Sequence, residues 1–149
     1  GSINRHGMYY RGRINLPQCD MSCMISPRMF RELVLPALRF EFSCQDAGEY
    51  HLDGPGAIKH LDALCEIEDL DVVQWIAGAG EASTQDWTDL YHRIDDLGKG
   101  HLRWANAAEL PALKEEFGSN KVYCLTNAAS AAEIERAIDE VERRERSSG

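Results

Sequence analysis

Apolar positions along the chain follow two alternating patterns, and together they predict an α/β fold. Short apolar or β-branched runs favour strands, whereas apolar residues that recur every three or four positions favour helices. The two patterns alternate five times, at intervals of about 25–30 residues, which is typical of βα units joined by crossovers into a mainly parallel sheet. The predicted strands end near Asp20 and near Asp53, and then cover Leu70–Ala77, His101–Ala105 and Val122–Thr126.

A hairpin is predicted ahead of the first of these strands. Met8–Tyr10 and Arg13–Leu16 are short β-like runs, and Arg11 and Gly12 separate them. A glycine between two such runs favours a tight turn. We therefore expect the two runs to pair with each other and to lead into the strand that ends near Asp20.

The helix after the first strand is predicted by its cap and by its apolar spacing. Ser26 followed by Pro27 is typical of a helix start. Pro36 lies inside the pattern and is expected to kink or interrupt the helix, because proline has no backbone N–H to donate. The predicted buried face comprises Phe30, Leu33, Val34, Ala37 and Leu38.

Proline, glycine and capping residues also predict the bounds of the later helices. Pro55 begins the helix after the second strand. Gly98 ends the helix after the third strand, because glycine readily takes the left-handed conformation that follows a helix. The last two helices are marked by two capping boxes and a terminal glycine, namely Asn106 with Glu109, Ser130 with Glu133, and Gly118.

Two architectures contain five consecutive βα units: an open doubly wound sheet and part of a (β/α)₈ barrel. A complete barrel takes roughly 250 residues, and the chain has 149, so five units alone do not close one. Residues 3–142 are predicted to form a single α/β domain. Gly1 and Ser2 resemble the scar of a cleaved tag, and the polar residues 143–149 are predicted to form a frayed tail.

Net charge and cysteine content indicate which partners and which cellular compartment to expect. The net charge of −9 argues against nucleic acid, whose phosphates are bound by clustered Lys and Arg. No apolar run approaches the roughly 20 residues that cross a bilayer, so no membrane association is expected. The five cysteines are odd in number and lack a secretory context, which predicts reduced thiols in a cytoplasmic protein.

The stretch Glu49–Gly56 carries the most specific candidate chemistry. Side chains alternate between the two faces of a strand, so His51 and Asp53 point the same way. An imidazole and a carboxylate therefore converge where the strand ends, which is where α/β enzymes place catalytic residues. The alternative is structural: a histidine satisfied by a nearby carboxylate that fixes the turn. His60, on the following helix, is predicted to be structural.

The third strand and the loop after it supply candidate substrate-binding residues. Gln74 and Trp75 face opposite sides of the strand; we expect Gln74 to face the mouth or interior of the sheet, and Trp75, like Trp104, to lie in the core. Gly78 and Gly80 nearly complete a dinucleotide fingerprint, but a fingerprint follows the first strand of a βαβ unit, so nucleotide binding is not expected. The loop is instead a candidate for binding a carboxylate or phosphate through backbone N–H groups.

Three segments together resemble one enzyme superfamily. They are Gln18–Ile25 (QCDMSCMI), His51–Leu61 (HLDGPGAIKHL) and Gln74–Gly80 (QWIAGAG). On these segments the chain resembles the C-terminal half of proteins in the uroporphyrinogen decarboxylase superfamily, from about Asn15 to Val141. That superfamily includes the decarboxylase of haem biosynthesis and the cobalamin-linked methyltransferases that pass methyl groups to thiols. The resemblance implies the last five units of a TIM barrel, with the active site in its C-terminal mouth.

The methyltransferase branch of this superfamily implies a zinc site. In those enzymes the corresponding strand end carries His-x-Cys, and a later strand supplies another cysteine; together they hold the zinc that activates the thiol. Here His51 matches the histidine, Asp53 stands in the place of the first cysteine, and Cys124 falls near the later one. All three residue types ligate Zn²⁺, although Cys124 is alternatively a small buried apolar residue. A corrinoid protein is the methyl donor that this branch implies.

The resemblance therefore predicts first a metal-assisted methyltransferase-like enzyme, or its C-terminal half, and two alternatives follow from it. The first is a decarboxylase-type lyase that acts on a small-molecule polycarboxylate such as uroporphyrinogen, with His51 and Asp53 as a proton-transfer pair; the superfamily's N-terminal arginine-bearing signature is missing here. The second is a non-catalytic half-barrel or assembly module. An incomplete barrel leaves sheet edges uncovered, which predicts a homo-oligomer or a missing N-terminal half. The other candidate residues at the mouth are Asp20 for catalysis and Gln74, Gly78, Gly80 and Asn127 for substrate binding.

Overall fold

The computed structural model describes residues 1–117 and 121–148, apart from the side chains of Glu81, Glu145 and Ser148. The predicted helix end at Gly118 lies outside the described residues. The chain divides into two units, Gly1–His101 and Leu102–Gly149, and each is described by itself below.

Seven strands occur in the described part of the chain: β1 (Ser2–Ile3), β2 (Tyr9–Tyr10), β3 (Ile14–Asn15), β4 (Ala47–Asp53), β5 (Val72–Ile76), β6 (Gly100–Asn106) and β7 (Val122–Asn127). The last five follow one another in chain order in one sheet, and the pairings of β3 with β4 and of β4 with β5 are parallel. Sequential order is that of a segment of a (β/α)₈ barrel, because a doubly wound sheet reverses its strand order at the switch point. The predicted α/β class with five parallel-sheet units is therefore confirmed.

Helices separate consecutive strands of this sheet. They are α1 (Pro27–Met29), a π-helical turn (Phe30–Val34) that continues into α2 (Leu35–Ser43), α3 (Leu61–Cys65), α4 (Thr88–Asp96), α5 (Leu110–Phe117) and α6 (Ala131–Ser148). Short 3₁₀ turns precede four of them, at Asp20–Met24, Pro55–His60, Gly80–Thr84 and Ala107–Glu109. Residues 143–148 of the predicted tail continue α6. Among the described residues, no helix combines the length and the apolar character that a membrane crossing requires.

The predicted hairpin between the first two β-like runs is wrong in its partner. β2 pairs antiparallel with β1, while β3 joins the parallel sheet. The side-chain oxygen of Asn4 accepts hydrogen bonds from the backbone N–H groups of His6 and Met8, at 3.0 and 3.1 Å, and Gly7 takes a φ of 77°. An asparagine that bonds to the backbone just ahead of it forms a turn, so the chain reverses at residues 4–8 and not at Arg11 and Gly12.

The core of the first unit lies on one face of β4 and β5. Tyr50 and Leu52 of β4 are buried, as are Val73 and Trp75 of β5. These residues belong to a single apolar cluster that also contains Phe30, Leu38, Phe42, Leu61, Leu64 and Ile94 from the helices. The prediction that Trp75 lies in the core is thereby confirmed.

Trp104, unlike Trp75, lies outside the core. It lies in β6, in the second unit, and 62% of its surface is exposed, so its predicted core position is wrong. An apolar run predicts a strand, but it does not establish that other elements cover both faces of that strand.

Pro36 interrupts the first helix, as predicted, and the interruption is a π-helical turn just before it. Pro36 has no N–H for the carbonyl of Glu32, and the N–H of Leu35 bonds to the carbonyl of Phe30, five residues back. The extra residue in this turn shifts the phase of the buried face. Phe30, Leu35, Leu38 and Phe42 are buried, whereas Leu33 and Ala37, which were predicted to be buried, are exposed.

His60 lies in the core of the first unit, where the sequence predicted a structural histidine. The residue is 1% exposed, its Nε2 donates a hydrogen bond to the carbonyl of Ser22 at 2.8 Å, and its ring stacks on Phe30 at 4.3 Å. No described residue forms a hydrogen bond with Nδ1. Burial lowers the pKa of His60 below its ordinary value, because an imidazolium ion is poorly solvated there.

We therefore expect His60 to reduce stability as the pH falls. Its pKa is lower in the folded chain than in the unfolded chain, so the unfolded chain binds more protons between the two values. The stability that is present above the unfolded-state pKa of about 6.5 is lost as the pH falls towards the folded-state value. Urea denaturation from about pH 7.5 to about pH 5 is expected to show a steeper loss of unfolding free energy in the wild type than in His60→Gln.

The glutamine variant is the matched comparison, because its amide N–H retains a donor for Ser22 but does not titrate. Other histidines titrate alike in both proteins, so the difference between the two pH profiles isolates His60. Parallel profiles would contradict the assignment.

Candidate functional site

Glu49, His51 and Asp53 share the face of β4 that lies opposite the core. The strand alternates, so Tyr50 and Leu52 take the core side and the three polar residues take the other. Glu49 is buried, His51 is half-buried and Asp53 is exposed. The face therefore passes from interior to surface as the strand approaches its C-terminal end, and the predicted common direction of His51 and Asp53 follows from it.

His51 is held by Gln74 on the neighbouring strand. The two residues are paired in register, and Nδ1 of His51 lies 2.5 Å from Oε1 of Gln74. An amide oxygen can only accept, so Nδ1 carries the proton. Nε2 is then left with a lone pair that can take up a proton or bind a metal ion. Gln74 faces the same side as His51, whereas Trp75 takes the core side.

Gln18 lies on the other side of His51. The two residues form an isolated parallel bridge, and the backbone N–H of His51 donates to the carbonyl of Pro17 at 3.1 Å. Residues paired in a parallel ladder point to the same face of the sheet. Gln18, His51 and Gln74 therefore form one row across three neighbouring chain segments, called the polar row below.

Gln18 connects the polar row to a cation and to a carboxylate. Its Oε1 accepts a hydrogen bond from Nη2 of Arg5 at 3.0 Å, and its Nε2 donates to Oδ2 of Asp20 at 3.5 Å. Arg5 and Asp20 are both exposed. The structure thus brings Asp20, a predicted catalytic residue, next to the polar row and adds a positive charge there.

Glu49 lies two residues before His51 on the same face and binds the turn between β1 and β2. Its Oε1 accepts a hydrogen bond from Nδ1 of His6 at 2.9 Å, and its Oε2 accepts one from Nδ2 of Asn4 at 2.6 Å. Glu49 is 1% exposed, and a carboxylate so buried is stable only when it is hydrogen-bonded. Because Asn4 and His6 flank Arg5, these two bonds also fix the position of the Arg5 backbone.

Sequence reasoning missed Glu49, Arg5 and Gln18, together with the two residues that bind Glu49. A signal for Glu49 exists, since Glu-x-His-x-Asp places three polar residues on one face of a strand whose other face is apolar. No local signal marks Arg5 or Gln18. Each reaches the site only through a contact with a residue distant in the sequence, Arg5 with Gln18 and Gln18 with His51.

Gly78 and Gly80 follow the C-terminal end of β5. Their φ angles are 78° and 79°, in the left-handed region that glycine adopts readily and other residues do not. Both are exposed, and a Cβ at either position would meet nothing within 4 Å. Backbone conformation, and not crowding, therefore accounts for these glycines, and their role in substrate binding stays a prediction.

Two of the predicted site residues lie in the second unit. Asn127 is exposed and ends β7. Cys124, in the middle of β7, lines an apolar cavity of about 230 Å³ whose walls include Leu113 and Ile138, and burial raises the pKa of its thiol. These surroundings are those of a small apolar residue, which was the alternative to its predicted role as a zinc ligand.

The donors for a metal ion are only partly assembled on β4. Nε2 of His51 and the carboxylate of Asp53 offer two donors on one face, whereas a catalytic zinc centre takes three protein ligands. Among the side chains that the structure describes, no three from His, Cys, Asp or Glu gather as a metal site requires. Zinc bound by His51, Asp53 and Cys124 therefore stays a prediction from the resemblance.

No family model, curated protein or solved structure matches the chain. The resemblance to the uroporphyrinogen decarboxylase superfamily thus depends on the three short segments quoted above.

Removal of the Glu49 carboxylate is expected to destabilise the protein. Glu49→Ala leaves the Asn4 amide and the His6 imidazole without their buried acceptor, and a hydrogen-bonding group left unsatisfied in this way costs about 1–3 kcal/mol. Chemical denaturation at neutral pH measures the effect. Glu68→Ala, at an exposed glutamate, is the control and is expected to change the unfolding free energy by less than about 0.5 kcal/mol. Equal effects of the two substitutions would refute the buried cluster.

Proposed function

We propose that the chain carries the proton-transfer site of an enzyme that acts on a small polycarboxylate, as a decarboxylase-type member of the uroporphyrinogen decarboxylase superfamily. One observation supports this above all: Nδ1 of His51 donates to the buried Gln74, so that Nε2 keeps its lone pair. An imidazole held in one tautomer, half-buried at a strand of a parallel sheet, is the arrangement of a general acid–base residue.

Decarboxylation requires such a group. Loss of CO₂ breaks a carbon–carbon bond and leaves its electron pair on the substrate carbon, which must then take up a proton. Nε2 of His51 accepts a proton from solvent and delivers it to that carbon. Gln74 holds the ring throughout, because Nδ1 carries a proton in both the neutral and the protonated imidazole. Asp53, exposed two residues further along the same face, is the second member of the proton-transfer pair.

Arg5 favours a substrate that carries carboxylates. Among the described residues, its guanidinium makes one hydrogen bond, to Gln18, and an arginine has five N–H donors. The remaining donors can bind a carboxylate with two parallel bonds. Arg5 therefore supplies a positive charge beside the polar row, although the arginine-bearing signature of the superfamily is missing from the sequence.

Methyl transfer to a thiol is the alternative within the same superfamily. A metal-ligating histidine typically donates its other ring N–H to a hydrogen-bond acceptor, as His51 does to Gln74. Zinc would lower the pKa of a thiol acceptor, and a corrinoid protein would supply the methyl group. Two donors and not three converge on β4 among the described residues, which makes methyl transfer the second candidate. For either enzyme we propose a cytoplasmic location, because all five cysteines are free thiols.

Binding of polycarboxylates is expected to depend on Arg5. The probes are tricarballylate and uroporphyrin, a stable oxidised octacarboxylate, and isothermal titration calorimetry measures their affinity. Arg5→Gln is expected to weaken binding about tenfold or more, because a hydrogen bond between charged groups contributes about 1.5–3 kcal/mol. Arg11→Gln, at another exposed arginine, removes the same charge outside the polar row and is expected to bind like the wild type.

Three results bear on the proposal in different ways. Selective loss of affinity in Arg5→Gln supports a carboxylate site at the polar row. Equal loss in both arginine variants indicates attraction by overall charge and contradicts the site. Failure of the wild-type chain to bind either probe contradicts the proposed substrate class.

A further inference from the structure

The continuous helix formed by α1, the π-helical turn and α2 carries exposed apolar residues that the core does not use. Met29, Leu33 and Phe40 are 39%, 67% and 73% exposed, and Pro36 between them is exposed as well. All four therefore lie on the exposed side of the helix, away from the core. We call Met29, Leu33, Pro36 and Phe40 the exposed stripe.

The π-helical turn is the reason that the stripe exists. In an uninterrupted α-helix, Leu33 would lie on the same face as Phe30 and Ala37. The i→i+5 bond from the N–H of Leu35 to the carbonyl of Phe30 inserts one residue and makes Leu35 the next buried position. Leu33 is thereby turned out of the core and joins Phe40 on the surface. A π turn of this kind often marks a functional site.

We propose that the exposed stripe packs against the same stripe of a second copy of the chain, with the two helices antiparallel across a two-fold axis. Such an interface is self-complementary, since each contact occurs twice. With the axis midway between Leu33 and Pro36, Met29 lies opposite Phe40 of the second copy. An apolar side chain then meets an apolar side chain along the whole stripe.

Charge also favours a second copy as the occupant. The same axis places Arg28 opposite Glu41 of the second copy, so opposite charges meet at both ends of the stripe. Arg28 pairs with Glu32 in its own helix at 3.0 Å, while the carboxylate of Glu41 has no ion pair with any described residue. An arginine can bridge two carboxylates, and here the second would come from the partner.

The surroundings of the stripe suit the meeting of two acidic chains. The chain has a net charge of −9, but residues 27–43 contain three arginines and two glutamates, which gives this segment a net charge of +1. Arg31 and Arg39 are paired with Glu66 beside the stripe. Repulsion between two copies is therefore weaker at this helix than the overall charge suggests.

The size of the stripe predicts a weak dimer. One helix pair covers less than the roughly 1,600 Å² of a standard stable interface. Met21 and Met24, in the 3₁₀ turn before α1, are 53% and 77% exposed and extend the apolar surface with flexible side chains that adapt to a partner. We expect weak, transient association, as for other small interfaces.

Analytical ultracentrifugation of the full chain, from about 5 μM to about 500 μM, tests the proposal. The wild type is expected to dimerise across this range. Leu33→Glu with Phe40→Glu is expected to raise the dissociation constant at least about tenfold, because buried apolar residues near the centre of an interface dominate its affinity. Both positions are exposed, so the monomer fold is retained, and circular dichroism checks this. Tyr9→Glu, at an exposed aromatic residue outside the stripe, is expected to leave the dimer unchanged.

Charge reversal tests the two-fold geometry. Arg28→Glu and Glu41→Arg, made singly, place like charges opposite each other and are expected to weaken the dimer. The double variant restores opposite charges and is expected to recover the wild-type dissociation constant within about threefold. A wild-type monomer at every concentration overturns the proposal, as does a dimer insensitive to the stripe variants. Failure of the double variant to recover refutes the antiparallel pairing of Arg28 with Glu41.

Discussion

The hydrogen bond from His51 to Gln74 is the interaction on which the chemistry of the site depends. Parallel pairing of β4 with β5 puts the two residues side by side, and Gln74 is almost wholly buried, so little solvent competes for its amide oxygen. The bond leaves the other ring nitrogen of His51 with a lone pair and persists when that nitrogen gains a proton. The ring can therefore change its charge without changing its orientation, which proton transfer requires.

The same two strands connect this site to the stability of the fold. Tyr50 and Leu52 lie against the helices, and strand alternation then forces His51 and Asp53 to the opposite face. Burial of the apolar residues thus sets the direction of the polar ones. Two residues before His51, Glu49 binds the turn of the N-terminal hairpin through Asn4 and His6. Packing, buried polar bonds and the position of Arg5 therefore depend on one strand.

Local pattern was enough to predict much of this arrangement, and long-range contact explains most of what it missed. The period of apolar residues predicted five strand–helix units and the opposite directions of Gln74 and Trp75, because both follow from neighbouring residues. The pairing of Glu49 with His6 spans 43 residues, and no spacing rule anticipates it. Pro36 was correctly expected to disturb its helix, but the form of the disturbance was not predictable from local pattern. The N–H of Leu35 bonds to the carbonyl of Phe30, five residues back. This π turn moves Leu33 from the predicted core to the surface.

Nitrogen-15 NMR of the imidazole of His51 reports its tautomer, because two-bond couplings to the ring protons distinguish a protonated ring nitrogen from an unprotonated one. For neutral His51, we expect a protonated Nδ1 and an unprotonated Nε2 in the wild type. Gln74→Glu, which keeps an acceptor, is expected to preserve that tautomer, whereas Gln74→Leu is expected to populate both. A wild-type His51 protonated at Nε2, or a tautomer unaffected by Gln74→Leu, would show that Gln74 does not set the state of this imidazole.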